Sequence, residues 1–258
     1  MSTLRAKCPD CKVYTAVALG PTYECHACGR EFAAGLVRVP RAWGDGGEAM
    51  EQAAHLPLPY PEAAVIAEDS LGEQNLALAS DLPERPLVLG GCCCAHVGAV
   101  EALESRYGRV AVVWLDAHGD LNTVESSPTG NLWATPLRML LDSGVVAPED
   151  VALIGARNLD PPEEEFIAEH GVKLGADAVS VVLEGPEGVY VAFDADSVDP
   201  EELQVFMPEP EGLTLDEVET IFREISDRSL VLGAGFTALA PDERNVAPVT
   251  RLATALSL

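Results

Sequence analysis

Five apolar runs separated by helical patterns set the tightest limit on what this chain can fold into. "PLVLGG" (86–91), "RVAVVWL" (109–115), "DVALIG" (150–155), "GVYVAFD" (188–194) and "SLVLGAGF" (229–236) are nearly continuous in apolar residues rather than alternating. A strand with that pattern has both faces buried, which is the condition of a parallel sheet covered by helices on each side. Helical patterns fill the intervals: "AHVGAVEALESRYG" (95–108), "TPLRMLLDSG" (135–144), "DPPEEEFIAEHG" (160–171), "TLDEVETIFREI" (214–225) and a terminal "TRLATALSL" (250–258). Asp160 followed by Pro161 reads as a helix start, and Thr214 with Glu217 as a capping box. The expected fold class is α/β, a three-layer α/β/α sandwich on a parallel sheet. Ligands bind such sheets at the carboxyl ends of the strands.

Two of those ends carry charge that a buried strand would not otherwise hold. After "VVWL" come Asp116, His118 and Asp120 at every second position. In extended chain they face one side. After "YVAF" come Asp194 and Asp196, with Asp199 ahead of Pro200. Either stretch alone could be an N-cap, an Asx turn or a loop carboxylate. Both together, in one sheet, point to a bound divalent cation, because unpaired buried carboxylates are costly. Four carboxylates and a histidine suit a pair of hard or borderline ions sharing bridging carboxylates, and such a pair can activate water. A third strand end reads "GGCCCAH", with Cys92, Cys93, Cys94 and His96.

The front of the chain is different. "CPDC" and "CHAC" place Cys8, Cys11, Cys25 and Cys28 in two C-x-x-C knuckles separated by 13 residues, the spacing of a zinc ribbon. A segment this short buries too little surface to fold alone, so one structural zinc ion is expected to hold it. Two disulfides are the alternative. Residues 42–85 are rich in Pro and Gly and read as loops with short helices. The expected division is a zinc ribbon over 1–41 and an α/β domain over 42–258.

Charge is unevenly spread. The whole chain carries 16 Lys+Arg against 42 Asp+Glu, a formal net charge of -26, yet residues 1–41 hold six basic and three acidic residues. An acidic body repels nucleic acid and anionic membranes and attracts cationic small molecules. No apolar run is long enough for a membrane span, and "MSTLRAKCPDC" has no signal-peptide core. The expected setting is cytoplasmic, without nucleic-acid or membrane partners.

"WLDAHGDLNT" and "FDADSVDP" resemble the two signature motifs of the ureohydrolases, the family of arginase, agmatinase and formiminoglutamase. "GGCCCAH" occupies the place of an earlier "GGDHS"-like motif, and "TGNLWATPLRMLL", "LIGARNLDP" and "PEPEGLTLDEVETIFREI" resemble later family segments. The resemblance runs over residues 86–258. It implies an arginase-like α/β/α sandwich, usually oligomeric, here a homo-oligomer. It also implies a binuclear centre held by Asp116, His118, Asp120, Asp194 and Asp196, with Asp116 and Asp194 bridging. Manganese is the implied metal, with zinc or iron as other candidates. The implied reaction is hydroxide attack on a guanidinium or similar C=N carbon.

His118 and Asp120 are the candidate catalytic residues, and Asn122, Asn131 and Trp133 the candidate substrate-binding ones. In an ungapped alignment Cys93 falls on the family's histidine ligand, and His96, one helical turn later, is the alternative. Trp133 stands where arginases carry a histidine after "GNL", and Ala238 where the late "E-V-x-P" segment carries a glutamate. A guanidinium needs a paired charge when buried. The expectation is therefore a C–N hydrolase of some guanidino, amidine or amide compound, cationic or neutral, other than arginine. The alternative is a family member without catalysis, acting as a scaffold or regulator through its ribbon.

Overall fold

The computed structural model describes residues 4–258. A small antiparallel sheet comes first, with β1 at Arg5–Ala6, β2 at Ala16–Leu19, β3 at Thr22–Cys25 and β4 at Glu31–Phe32. Eight further strands form one sheet: β5 Gly35–Val39, β6 Glu62–Val65, β7 Pro86–Gly90, β8 Val110–Leu115, β9 Val151–Ile154, β10 Lys173–Leu174, β11 Gly188–Asp194 and β12 Val231–Thr237. Their order is β10-β9-β8-β11-β12-β7-β5-β6, and every pairing is parallel.

Helices lie on both faces: α1 Glu48–Ala53, α2 Leu71–Asp81, α3 Ala95–Tyr107, α4 Pro136–Asp142, α5 Pro161–His170, α6 Val179–Val182, α7 Leu215–Arg228 and α8 Val246–Ala255. Strand β8 shows why its run is unbroken. Val110, Val112 and Trp114 join the core under α3, α4 and α5, while Ala111, Val113 and Leu115 join the core under α7 and α8. Successive side chains point to opposite faces, and both faces are covered. The three-layer α/β/α reading is the observed architecture. Helix α7 begins as its sequence indicates: the Thr214 hydroxyl accepts from Glu217 N at 3.2 Å, and Glu217 Oε2 accepts from Thr214 N at 2.8 Å.

The segment before residue 86 holds more regular structure than its Pro and Gly content suggests. Besides the short α1 it supplies strand β6 and the 11-residue helix α2. Local turn residues there are overridden by pairing and packing, since β6 completes the sheet edge and α2 lies on α3. Strand β5, ahead of residue 42, pairs with β7 and β6 and is part of the large sheet. No helix among the described residues is long and apolar enough to cross a membrane.

Candidate metal centre and active site

Strands β8, β11, β12 and β7 are consecutive across the middle of the sheet, so their carboxyl ends meet although they are far apart in sequence. The carboxylates do not converge as alternate residues of extended chain. Each motif leaves its strand in a tight turn closed by its own first aspartate. His118 N donates to Asp116 Oδ1 at 2.7 Å, and Asp196 N donates to Asp194 Oδ1 at 2.9 Å. One oxygen of each aspartate thus fixes the turn. The other is presented inward: Asp116 Oδ2 lies 3.8 Å and Asp194 Oδ2 2.9 Å from Cys93 Sγ. Asp116 Oδ2 also accepts from Trp114 Nε1 at 3.2 Å, and the Asx-turn and ligand readings are compatible in each motif.

Asp120 completes the first turn with φ at 52°, in the left-handed region that aspartate tolerates better than most residues. Its Oδ2 is buried and has no hydrogen-bond partner. Asp196 Oδ1 accepts from Ala117 N at 3.1 Å, tying the two motifs together. His118 Nδ1 lies 3.1 Å from Asp196 Oδ2 and 3.4 Å from Asp116 Oδ1, and its Nε2 is 3.7 Å from Glu209 Oε1.

Ligand-type atoms fall into two groups, each within 4.8 Å: Cys93, Asp116 and Asp120, and Asp116, His118 and Asp196. Asp116 belongs to both. The electrostatics ask for cations. Burial, then the Asp116 and Asp194 charges, push Asp120 well above the usual carboxylate range. Burial and the neighbouring Asp196 and Asp116 do the same to Asp194. Burial and three aspartates push the Cys93 thiol up. Burial opposes a charge on His118, but Asp116 and Asp196 outweigh it and raise its pKa to about 12. The unpartnered Asp120 oxygen and this oxygen-rich donor set fit a pair of divalent ions.

His96 is not brought to this cluster. It is fully buried, with Nδ1 3.0 Å from the Tyr190 hydroxyl and Nε2 3.3 Å from Thr237 Oγ1, and it packs edge-on to Trp114. Burial lowers its pKa to about 3, so the ring is neutral. The reading of His96 as an alternative metal ligand is corrected on this geometry: both ring nitrogens are already engaged away from the carboxylates.

The cluster floors a pocket of about 240 Å³. Asn122 lines it, donating to Asp160 Oδ2 at 2.9 Å. Trp133 lines it too, seated against Gly44 and Gly47; a Cβ at residue 44 would meet its ring at 2.4 Å. Asn131 does not line it, because its side-chain oxygen accepts from Asp45 N at 3.1 Å and holds a neighbouring loop instead. Cys92 and Ala238 add an apolar wall.

Sequence reasoning missed two acidic residues beside the cluster, one lining the pocket and one next to His118. Glu163 is buried with Oε2 accepting from Asp160 N at 2.9 Å and Oε1 accepting from Leu121 N at 3.0 Å. Glu209 faces His118. Glu163 was readable only as a capping residue of "DPPE", but a cap at the carboxyl edge of a sheet also faces the ligand crevice.

In the small sheet, Cys8 Sγ lies 4.0 Å from Cys28 Sγ and Cys11 Sγ 3.8 Å from Cys25 Sγ, with all four sulfurs within 4.8 Å of one another. These cysteines are free, not disulfide-bonded. A tetrahedron with metal–sulfur bonds of about 2.3 Å has edges of about 3.8 Å.

The family model of the arginase family matches residues 50–257. The similarity thus begins well ahead of residue 86 and takes in most of α1 and all of β6 and α2. Arginase of Bacillus caldovelox is 33% identical over 189 residues, 62% of this chain and 63% of that protein. Arginase of Bacillus subtilis is 32% identical over 210 residues, 70% of this chain and 71% of that protein. Staphylococcus aureus arginase is 38% identical over 140 residues, 46% of its length. The chain thus spans between about half and two thirds of the first of these relatives. Among solved structures, B. caldovelox arginase superposes with a TM-score of 0.73 at 26% identity, covering 86% of this chain and 96% of that one. Formimidoylglutamase of B. subtilis shares the fold, with a TM-score of 0.68 at 18% identity and 87% of each chain covered.

Proposed function

The chain belongs to the arginase family, and we propose that it hydrolyses a C–N bond of a guanidino or amidine compound at a two-ion centre. The observation that carries this is the pair of donor groups sharing Asp116, the first of which includes Asp120 with its unpartnered, buried oxygen. Two divalent ions held there would supply Lewis acidity and acidify bound water. Manganese is the metal the family resemblance favours. Asp116, Asp120 and Cys93 hold one position, and Asp116, His118 and Asp196 the other, with Asp194 beside the first.

The protein's own groups divide the remaining work. Asp120, a pocket-lining residue whose Oδ2 is free of donors, takes the proton as water adds to the central carbon. It returns that proton to the departing nitrogen as the C–N bond breaks. Glu209, facing His118 Nε2, orients the imidazole. Asp160 and Glu163 give the pocket an anionic wall suited to a cationic substrate.

The expectation against arginine rested on Trp133, Ala238 and the altered "GGCCCAH" corner. The curated relatives are named arginase, which leaves that exclusion without support, and arginine stands first among the substrates to try. We further assign one structural zinc ion to Cys8, Cys11, Cys25 and Cys28, on the sulfur spacing.

The test measures urea or ammonia release from arginine and a panel of guanidino and amidine compounds, with metal content determined on the same sample. Asp120→Ala is expected to lower turnover by about 10²–10⁴-fold while the fold persists. A loaded protein that turns over none of the panel would sink the proposal.

A further inference from the structure

The two ion positions do not have the same chemistry. The first is lined by Cys93, Asp116 and Asp120, and the second by Asp116, His118 and Asp196. Sulfur therefore faces only one of them. Cys93 is held there from two sides: its Sγ lies 2.9 Å from Asp194 Oδ2 and 3.1 Å from Thr237 Oγ1. It sits on the tight turn after β7, where a Cβ at Gly91 would strike the Pro40 carbonyl at 2.3 Å. The turn cannot easily shift to bring another residue forward.

The His96 imidazole is locked elsewhere. A Cβ at residue 235 would lie 2.5 Å from His96 Nδ1 and 2.5 Å from the Tyr190 hydroxyl, so Gly235 is what gives that ring its seat. The Thr237 hydroxyl donates to Phe193 O at 3.2 Å and so accepts from His96 Nε2–H. That leaves Nδ1 to accept from Tyr190. Thr237 thus stands between the two residues, with the histidine behind it and the thiol in front.

Resting on the two-ion reading above, we propose that Cys93 binds as a thiolate at one position only. The centre is then an unequal pair: a sulfur-bearing position that prefers zinc, cobalt or ferrous iron, and an oxygen–nitrogen position that accepts manganese. Ion binding displaces the thiol proton to solvent and forms the metal–sulfur bond. A mixed pair, with the softer ion beside Cys93, is the expected resting composition when both kinds of ion are supplied.

The decisive measurement is X-ray absorption at the cobalt edge on the full-length protein, with zinc kept in the cysteine knuckles and cobalt(II) alone added to the emptied cluster. One sulfur neighbour at about 2.3 Å per two cobalt ions is expected. Cys93→His should abolish that sulfur shell and the matching near-ultraviolet thiolate-to-cobalt absorption while still binding two ions. It should also lower the zinc-over-manganese preference of the cluster by about tenfold or more. His96→Gln should leave the sulfur shell in place.

Two cobalt ions bound with no sulfur neighbour would overturn the proposal while leaving the two-ion centre standing. No cobalt bound outside the knuckles would overturn both. Because the wild-type spectrum alone decides the ligand, a variant that failed to fold would not rescue the idea.

Discussion

Cys93 and His96 sit three residues apart at the start of α3, and the fold gives them opposite surroundings. Cys93 faces three carboxylates across the pocket floor, whereas His96 lies beneath β12 in a cage of Tyr190, Thr237 and Trp114. Moving the imidazole outward would leave the Tyr190 hydroxyl buried without its acceptor, at a cost of about 1–3 kcal/mol, and would open a void behind it. His96→Ala is therefore expected to destabilise the fold by about 2–4 kcal/mol by urea titration, with the metal content of the cluster unchanged. The same residue shapes the acid limb. Its folded pKa of about 3 lies below the ordinary value, so below about pH 6.5 the unfolded chain takes up the proton first. Its contribution is complete above that pH and is lost as pH falls toward 3, at up to about 1.4 kcal/mol per pH unit. In His96→Gln the loss of stability between about pH 7 and pH 4.5 should be smaller than in the parent, with the two proteins compared by denaturant midpoint.

At the scale of elements, helix α3 carries a glycine that propensity alone would condemn. Replacing a mid-helix glycine by alanine ordinarily gains about 0.5–1 kcal/mol. At Gly98 the added methyl would lie 2.7 Å from Asn75 Cα and 3.0 Å from Leu78 Cδ1, because α2 crosses α3 there. Backbone cannot yield as a side chain can, so Gly98→Ala should instead cost about 1–3 kcal/mol, read as a lower denaturant midpoint. The contrast explains which elements were legible in sequence. β7, β8, β9, β11 and β12 announce themselves because both their faces are buried. β5, β6 and β10 are shorter or lie toward the sheet's edges, and α2 sits in a Pro- and Gly-rich stretch whose packing partner is 20 residues further on. The site divides in the same way. Two carboxylate motifs at strand ends could be read directly, whereas Glu163 and Glu209 could not. Glu163 lines the pocket and Glu209 faces His118, placements that no local pattern records.

On the scale of the whole molecule, the small sheet is joined to the large one at its edge. Lys7 and Glu62 exchange backbone hydrogen bonds of 2.8 and 3.0 Å, and Glu62 also accepts from the largely buried Arg38 at 2.6 Å. The cysteine module thereby covers part of β6, which is otherwise an open edge able to pair with another chain. Replacing Cys11 and Cys28 together by serine should remove one zinc ion per chain and uncover that edge. Sedimentation velocity should then show self-association beyond the parent's, while the far-ultraviolet signature of the large sheet remains. Unchanged zinc content in that variant would dismiss the assignment of the knuckles to a metal. The sequence by itself determined the layered parallel sheet, because only strands buried on both faces can be so uniformly apolar. It also determined which carboxylates stand at strand ends, because buried charge must have a purpose. The tertiary structure decided which ends meet, through the β8-β11-β12-β7 order, and whether a cysteine or a histidine faces the carboxylates. That last choice turns on a seat formed by Gly235, Tyr190 and Thr237, residues about 100 or more positions away in the chain, and steric room of that kind exists only once the strands are side by side.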